Sequence, residues 1–269
     1  MLIKLFLALS EISPCLKKLL WRQWYQFLAS HYQTKDCSFM NYGYAPLHDH
    51  SDTVKLDEGD EPNRYFIQLY HHVASAVDLP NRNVLEIGSG RGGGASYIKR
   101  YLKPKTLTGV DFSGKAVQFC KHTHDVDGLS FIKGDAESLP FDAGRFDVVI
   151  NIESSHCYGS MEAFLANVKR VLRQDGYLLY ADLRNRNDVA VLQQQMEQSG
   201  MKILKREDIT PNILRSLHLD NERKLLLIRA FFQNWLLKPF QEFAGVKGSK
   251  IYAGFQSGAM IYLHYVLQK

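Results

Sequence analysis

From residue 83 onward, short aliphatic runs alternate with amphipathic segments of helical length, and few folds accept that order. NVLEI (83–87), LTGVD (107–111), LSFIKGD (129–135), FDVVIN (146–151) and GYLLYADL (176–183) read as buried strands. GASYIKRYL (94–102), GKAVQFCKH (114–122), MEAFLANVKRVL (161–172) and DVAVLQQQMEQSG (188–200) read as helices between them. Only the third strand is followed by a short loop instead of a long helix. Strands joined by helices of this length imply right-handed crossovers and a parallel sheet covered on both faces.

The alternation breaks near the end. MKILKREDI (201–209) reads as a sixth strand and AMIYLHYVLQ (259–268) as a seventh. About fifty residues separate them, dominated by LLLIRAFFQNWLLKPFQEFAG (225–245), where a helix apolar on so much of its circumference needs partners on more than one side. The expected fold is therefore α/β, a seven-stranded, mainly parallel Rossmann-like sheet whose last strand is antiparallel. A helical cap is inserted between strands six and seven, at about residues 210–255. The main domain spans 81–269, and residues 1–80 form an N-terminal helical segment or lid.

In that segment Leu16, Leu19, Leu20, Trp24, Phe27 and Leu28 recur at helical spacing with Lys17, Lys18 and Arg22 between them. Such a helix either packs on the body of the protein or lies at a membrane interface, a peripheral contact. The stretch from Asn41 to Pro62 reads as loop, and Asp60 with Pro62 should open a helix, the Asp capping its free amides. The first residues, MLIKLFLALSEIS, have too short an apolar run for a signal peptide, and Glu11 interrupts it. Four separated cysteines form no CxxC pair. Both features point to the cytoplasm. A net charge of +5 without a polybasic run gives no reason to expect nucleic acid.

VLEIGSGRGGG follows a strand and opens a helix, the setting of a nucleotide-type loop. Gly88, Gly90 and Gly92 give GxGxG, whereas Gly88, Gly90 and Gly93 give the dinucleotide fingerprint GxGxxG. Asp111 ends the second strand about twenty residues on, as both schemes require. The glycines alone do not choose between S-adenosylmethionine and NAD. Three other features favour the former. Glu86, two residues before the first glycine, can help hold an ammonium-bearing methionine end. GDAESLPF puts Asp135 and Ala136 at the tip of the third strand, where an Asp can accept from an adenine amino group. The series then closes with a strand pair, not a second mononucleotide half. Phe112, beside Asp111, and Asn151, at the end of the fourth strand, join Glu86, Gly88, Gly90, Gly92, Asp111, Asp135 and Ala136 as expected cofactor contacts.

Ligands of open α/β sheets sit beyond the carboxyl ends of the strands. NIESSHCYG follows the fourth strand and YADLR ends the fifth, so His156 and Asp182 are placed to meet there. A histidine titrates near neutrality, and an adjacent carboxylate orients it and stabilises its charge. Glu153 is the alternative partner or a cofactor-side acid. No metal is expected. His48, Asp49, His50 and Asp52 read as a polar loop, and the helical neighbours His71 and His72 point in different directions. Tyr42 and Tyr44 either close over the cofactor or pack locally, and Cys157 packs.

ExGxG, Asp111, GDAxxLPF and FDVV together are similar to the class I S-adenosylmethionine-dependent methyltransferases. DEPNR (60–64), LYHH (69–72), GGGASY (92–97), GDAESLPFD, SHCY (155–158), YADLR (180–184) and FAGVKGS (243–249) go further. With them the chain resembles the phthiotriolone/phenolphthiotriolone dimycocerosates methyltransferases from about residue 40 to the end. That resemblance implies O-methylation of a hydroxyl on a hydrophobic, lipid-like or polyketide acceptor, with His156 as the site base and Asp182 as its carboxylate. A fatty-acid carboxyl or other natural-product methyltransferase, and a non-catalytic binding module, are the alternatives. The N-terminal segment and the insert at about 210–255 are expected to form the cap, where the chain departs from that family, so the resemblance does not extend to the exact acceptor.

Overall fold

A computed structural model describes residues 38–48, 54–231 and 234–269. The helix read at 16–28, with its membrane contact, lies outside them, as do Asp49, His50, Asp52 and Phe232. Seven strands form where the aliphatic runs predict: β1 (Asn83–Ile87), β2 (Thr106–Asp111), β3 (Leu129–Lys133), β4 (Phe146–Ile152), β5 (Leu172–Asn185), β6 (Lys202–Asp208) and β7 (Met260–Gln268). They make one sheet in the order β3-β2-β1-β4-β5-β7-β6. β1 through β5 pair in parallel, and β7 runs antiparallel to both β5 and β6. The order places β1 and β4 side by side at the centre, where the chain reverses direction across the sheet. That is the crevice in which α/β proteins bind ligands.

Alternating side chains divide the core into two layers. On one face, Val148, Ile150, Leu179, Ala181, Tyr262 and Val266 pack beneath α1 (Arg64–Ala74), α2 (Gly93–Tyr97) and α3 (Gly114–Thr123). On the other, Val149, Leu178, Tyr180, Leu263 and Tyr265 meet α4 (Met161–Val171) and α5 (Val189–Gln198). Ser113 and Ser160 accept hydrogen bonds from the first-turn amides of α3 and α4, fixing where those helices begin. α1 shares the main core through Ile67, Leu69 and Val73, all fully buried.

The insert between β6 and β7 folds as α6 (Thr210–Leu219), α7 (Asn221–Phe231), α8 (Asn234–Ala244) and α9 (Lys250–Ser257). Its apolar run is thus divided between two helices, not one. Ile228, Phe240 and Val246 make a small core of their own, with Leu225, Leu236, Leu237 and Phe243 packed against it. Among the described residues no helix is long and apolar enough to cross a membrane.

Asp60 does not cap a helix as the sequence suggests. A short 3-10 turn, Glu61–Asn63, precedes α1, and no cap bond is made from the Asp60 side chain. Its carboxylate instead takes a two-pronged pair from Arg100, at 2.6 and 2.9 Å, and the Tyr101 hydroxyl at 2.6 Å. A charged, bidentate partner outcompetes backbone amides that water can satisfy. α1 and α2 pack so closely that a Cβ on Gly94 would fall 1.9 Å from the Tyr70 ring. Gly94→Ala should therefore cost about 1–3 kcal/mol in urea denaturation. Gly59→Ala, whose added methyl meets open space, should stay within about 0.5 kcal/mol of the parent protein.

Candidate active site

The loop after β1 is built on three left-handed glycines: Gly88 at φ 77°, Gly90 at φ 52° and Gly92 at φ 77°. A Cβ on Gly88 would also strike Ser154 Oγ at 2.3 Å, so only glycine fits there. Asp111, at the tip of β2, locks the loop from below. Its Oδ2 accepts from the Gly90 amide at 2.9 Å and its Oδ1 from the Ser113 amide at 2.8 Å. Burial raises the Asp111 pKa to about 6 and that of Glu86 to about 8. The Tyr70 hydroxyl approaches Glu86 from α1 without closing a full hydrogen bond.

A pocket opens over this loop. Gly88, Ser89, Gly90, Asp111, Phe112, Asp135 and Ala136 line its floor and one wall. Glu153, His156, Cys157 and Tyr158, from the loop after β4, line it on the other side of the β1–β4 seam, and Phe39, Met40, Tyr42 and Phe243 complete the lining. Three cofactor residues named from sequence stand elsewhere. Glu86, Gly92 and Asn151 are not on the lining. Asn151 is fully buried behind it and donates from its amide to the Ile87 carbonyl, Ser154 Oγ and Tyr158 hydroxyl. Its side chain faces the layer between β1 and the loop after β4, because strand alternation turns it away from the pocket.

His156 and Asp182 do meet. The β4–β5 register sets Ile152 opposite Ala181, so the first residues past β4 rise beside Asp182. Five donors converge on that fully buried carboxylate. Ser155 Oγ reaches Oδ2 at 2.6 Å and the His156 amide reaches it at 2.9 Å. His156 Nδ1 and the Leu183 amide reach Oδ1 at 2.8 Å each, and an Arg184 guanidinium nitrogen stands 3.2 Å from Oδ2. Burial alone would raise the Asp182 pKa, but the His156 and Arg184 charges outweigh it and hold the carboxyl well below its usual range. Burial also disfavours the imidazolium, yet the Cys157 sulfur and the Asp182 carboxylate carry the His156 pKa well above its ordinary value.

Glu153 sits at φ 45°, a left-handed conformation rare outside glycine. Its Oε1 accepts from the Tyr42 amide at 2.8 Å and the Tyr262 hydroxyl at 2.9 Å. Burial pushes its pKa to about 7 against those two donors. Sequence reading missed Ser155, Arg184 and Tyr262. SHCY and YADLR contained the first two, whereas nothing local marks Tyr262, which reaches the site from β7.

The pocket fits S-adenosylmethionine. Ser89 Oγ, on the lining, is buried with no hydrogen-bond partner in the protein, and neither Glu86 oxygen meets one. At Gly90, also on the lining, an added Cβ would meet only the end of the Met40 side chain, another lining residue, so glycine leaves that backbone open for a ligand to approach. Residues 85–180 match the Methyltransferase domain family. A phthiotriol/phenolphthiotriol dimycocerosates methyltransferase of Mycobacterium tuberculosis is 38% identical over 252 residues, 94% of this chain and 93% of that one. The chain belongs to that family. A fatty-acid O-methyltransferase of Mycolicibacterium smegmatis is also 38% identical, over 80% of this chain and 79% of that one. The cyclopropane synthase MmaA2 from Mycobacterium tuberculosis shares the fold at a TM-score of 0.69 and 16% identity, covering 91% of this chain and 98% of that one. This protein is an S-adenosylmethionine-dependent methyltransferase, with the sheet and antiparallel β7 that its sequence predicts.

In this methyltransferase Asp182→Asn leaves Arg184 buried beside a neutral amide, at a cost on the order of 3 kcal/mol. The sign with pH follows from both partners. The lowered Asp182 pKa makes its stabilisation present above about pH 4 and lost as pH falls toward the folded value. The raised His156 pKa makes its share present below about pH 6.5 and lost as pH rises through the folded value. Denaturation of parent and variant across pH should give the widest stability gap between those limits, narrowing on either side.

Proposed function

We propose that this methyltransferase methylates an oxygen of a hydrophobic, lipid-like acceptor, with His156 as general base. The observation that carries the proposal is the placement of His156. It lines the same pocket as the glycine loop, and Asp182 holds its Nδ1 at 2.8 Å. With Nδ1 donating to the carboxylate, proton exchange falls to Nε2. Support for the acceptor class comes from the two relatives' names, which specify phthiotriol or phenolphthiotriol dimycocerosates and fatty acids. It comes also from the aromatic lining residues Phe39, Tyr42 and Phe243.

When bound, S-adenosylmethionine supplies an electrophilic methyl group. Ser89, Asp111, Phe112, Asp135 and Ala136 would hold it, the glycine loop lying against it, with Glu86 behind the loop. The protein's own residues then align the acceptor and exclude water. His156 takes the acceptor hydroxyl proton as the oxygen turns nucleophilic, and Asp182 with Ser155 stabilises the resulting imidazolium. Glu153, fixed by Tyr42 and Tyr262, sits on the same wall as the second carboxyl that positions the acceptor oxygen.

One observation favours a second reading, a carboxyl acceptor. The buried Asp182 carboxylate 2.8 Å from His156 Nδ1 favours the imidazolium and raises the His156 pKa, and an imidazolium binds a carboxylate that needs no base. The two readings differ in sign. As a base, His156 must be neutral, so turnover rises as pH rises through its pKa. As a carboxylate clamp it must be charged, so turnover falls over the same interval. Labelled methyl transfer to a long-chain alcohol and to the matching fatty acid, run across pH, separates them. For the base, His156→Ala should lower turnover about 10²–10⁴-fold while S-adenosylhomocysteine affinity holds in calorimetry. Unchanged turnover would remove His156 from the chemistry.

A further inference from the structure

Away from the methyl-transfer pocket, at the β6–β7 edge of the sheet, three metal-ligating side chains converge. We propose that His72, Glu207 and His264 form a binding site for a divalent cation of the zinc class, which staples α1 to that edge. Glu207 and His264 are directly opposed residues of the antiparallel β6–β7 pair. His72 comes down onto them from α1, far away in sequence. His72 Nε2 lies 3.1 Å from Glu207 Oε2, and His264 Nδ1 lies 3.3 Å from the same oxygen. The three ligand atoms all fall within 4.8 Å of one another.

Those spacings suit a metal. Tetrahedral zinc with bonds of about 2.0–2.1 Å separates its ligand atoms by roughly 3.3–3.4 Å, so two edges of the polyhedron are already nearly in place. Two imidazoles and one carboxylate are also a donor set that zinc accepts with a position left for water. The orientation of His72 is fixed from outside, since the Tyr44 ring stacks on it at 4.3 Å between centroids and 16° between planes. His264 is fully buried in the sheet, which holds its ring in place with Nδ1 toward Glu207.

Lys205 is the competitor. Its Nζ lies 2.8 Å from the same Glu207 oxygen, so three donors crowd one acceptor. The lysine side chain is 46% exposed and can swing into water, while the 35% exposure of Glu207 gives a cation its way in. None of the three ligands lines the methyl-transfer pocket, so the site is separate from that chemistry.

The test is titration of the chelator-treated full chain with Co²⁺, followed by optical absorption, and then displacement by Zn²⁺. The expected result is one Co²⁺ per chain with visible bands of a tetrahedral nitrogen–oxygen set, lost on adding Zn²⁺. Glu207→Gln and His72→Asn, both at partly exposed positions, should each weaken binding about tenfold or more, with S-adenosylhomocysteine affinity held as the measure of folding. Absence of Co²⁺ binding, a thiolate charge-transfer band, or equal affinity in parent and both folded variants would each overturn the site.

Discussion

A carboxylate without solvent contact has to be surrounded by donors, and Asp182 is surrounded by five. That requirement organises the whole wall of the pocket. Two of the donors are the side chain and backbone of His156, a third is Ser155, and a fourth is Arg184 two residues along β5. The loop after β4 is therefore pinned at successive residues to the strand beside it, not left to wander as loops at strand ends do. With Arg184 as a second cation, the imidazole is oriented by a carboxylate whose ionisation is secure. The pairing can exist only because β4 and β5 are parallel neighbours with Ile152 set against Ala181.

On the other side of the pocket Asp111 serves backbone in place of side chains. By accepting from the Gly90 and Ser113 amides it couples the glycine loop to the start of α3. Between floor and wall stands Asn151. Its amide ties the end of β1 to Ser154 and Tyr158, and it acts on the pocket through them. α1 has two duties. Tyr70 covers Gly94 and faces Glu86 behind the loop, while His72, two residues on, turns to the far edge of the sheet.

Much of this was legible in the chain. Each strand of the alternating series forms at or within a few residues of its aliphatic run, because a parallel strand covered on both faces must be continuously apolar. The glycine loop could be read because its residue types follow from backbone geometry alone. His156 and Asp182 could be brought together on paper because both end neighbouring strands. Asp60 could not be read correctly. As an Asp ahead of a proline it has the form of a helix cap, and only Arg100 and Tyr101, some forty residues away, explain why it is used otherwise.

By itself, then, the sequence determined the order and kind of the elements, the cofactor loop and the pairing of histidine with carboxylate. These rest on patterns of period two or three to four and on local turn chemistry, which act within a few residues. Tertiary structure decided the rest. Glu153 enters the pocket through a left-handed backbone that no residue type announces, and Tyr262 meets it from 109 residues away. His72 and Glu207 lie 135 residues apart and become neighbours only because β7 inserts antiparallel between β5 and β6. Which side chains face each other across such distances is set by strand order and register, and a local pattern contains neither.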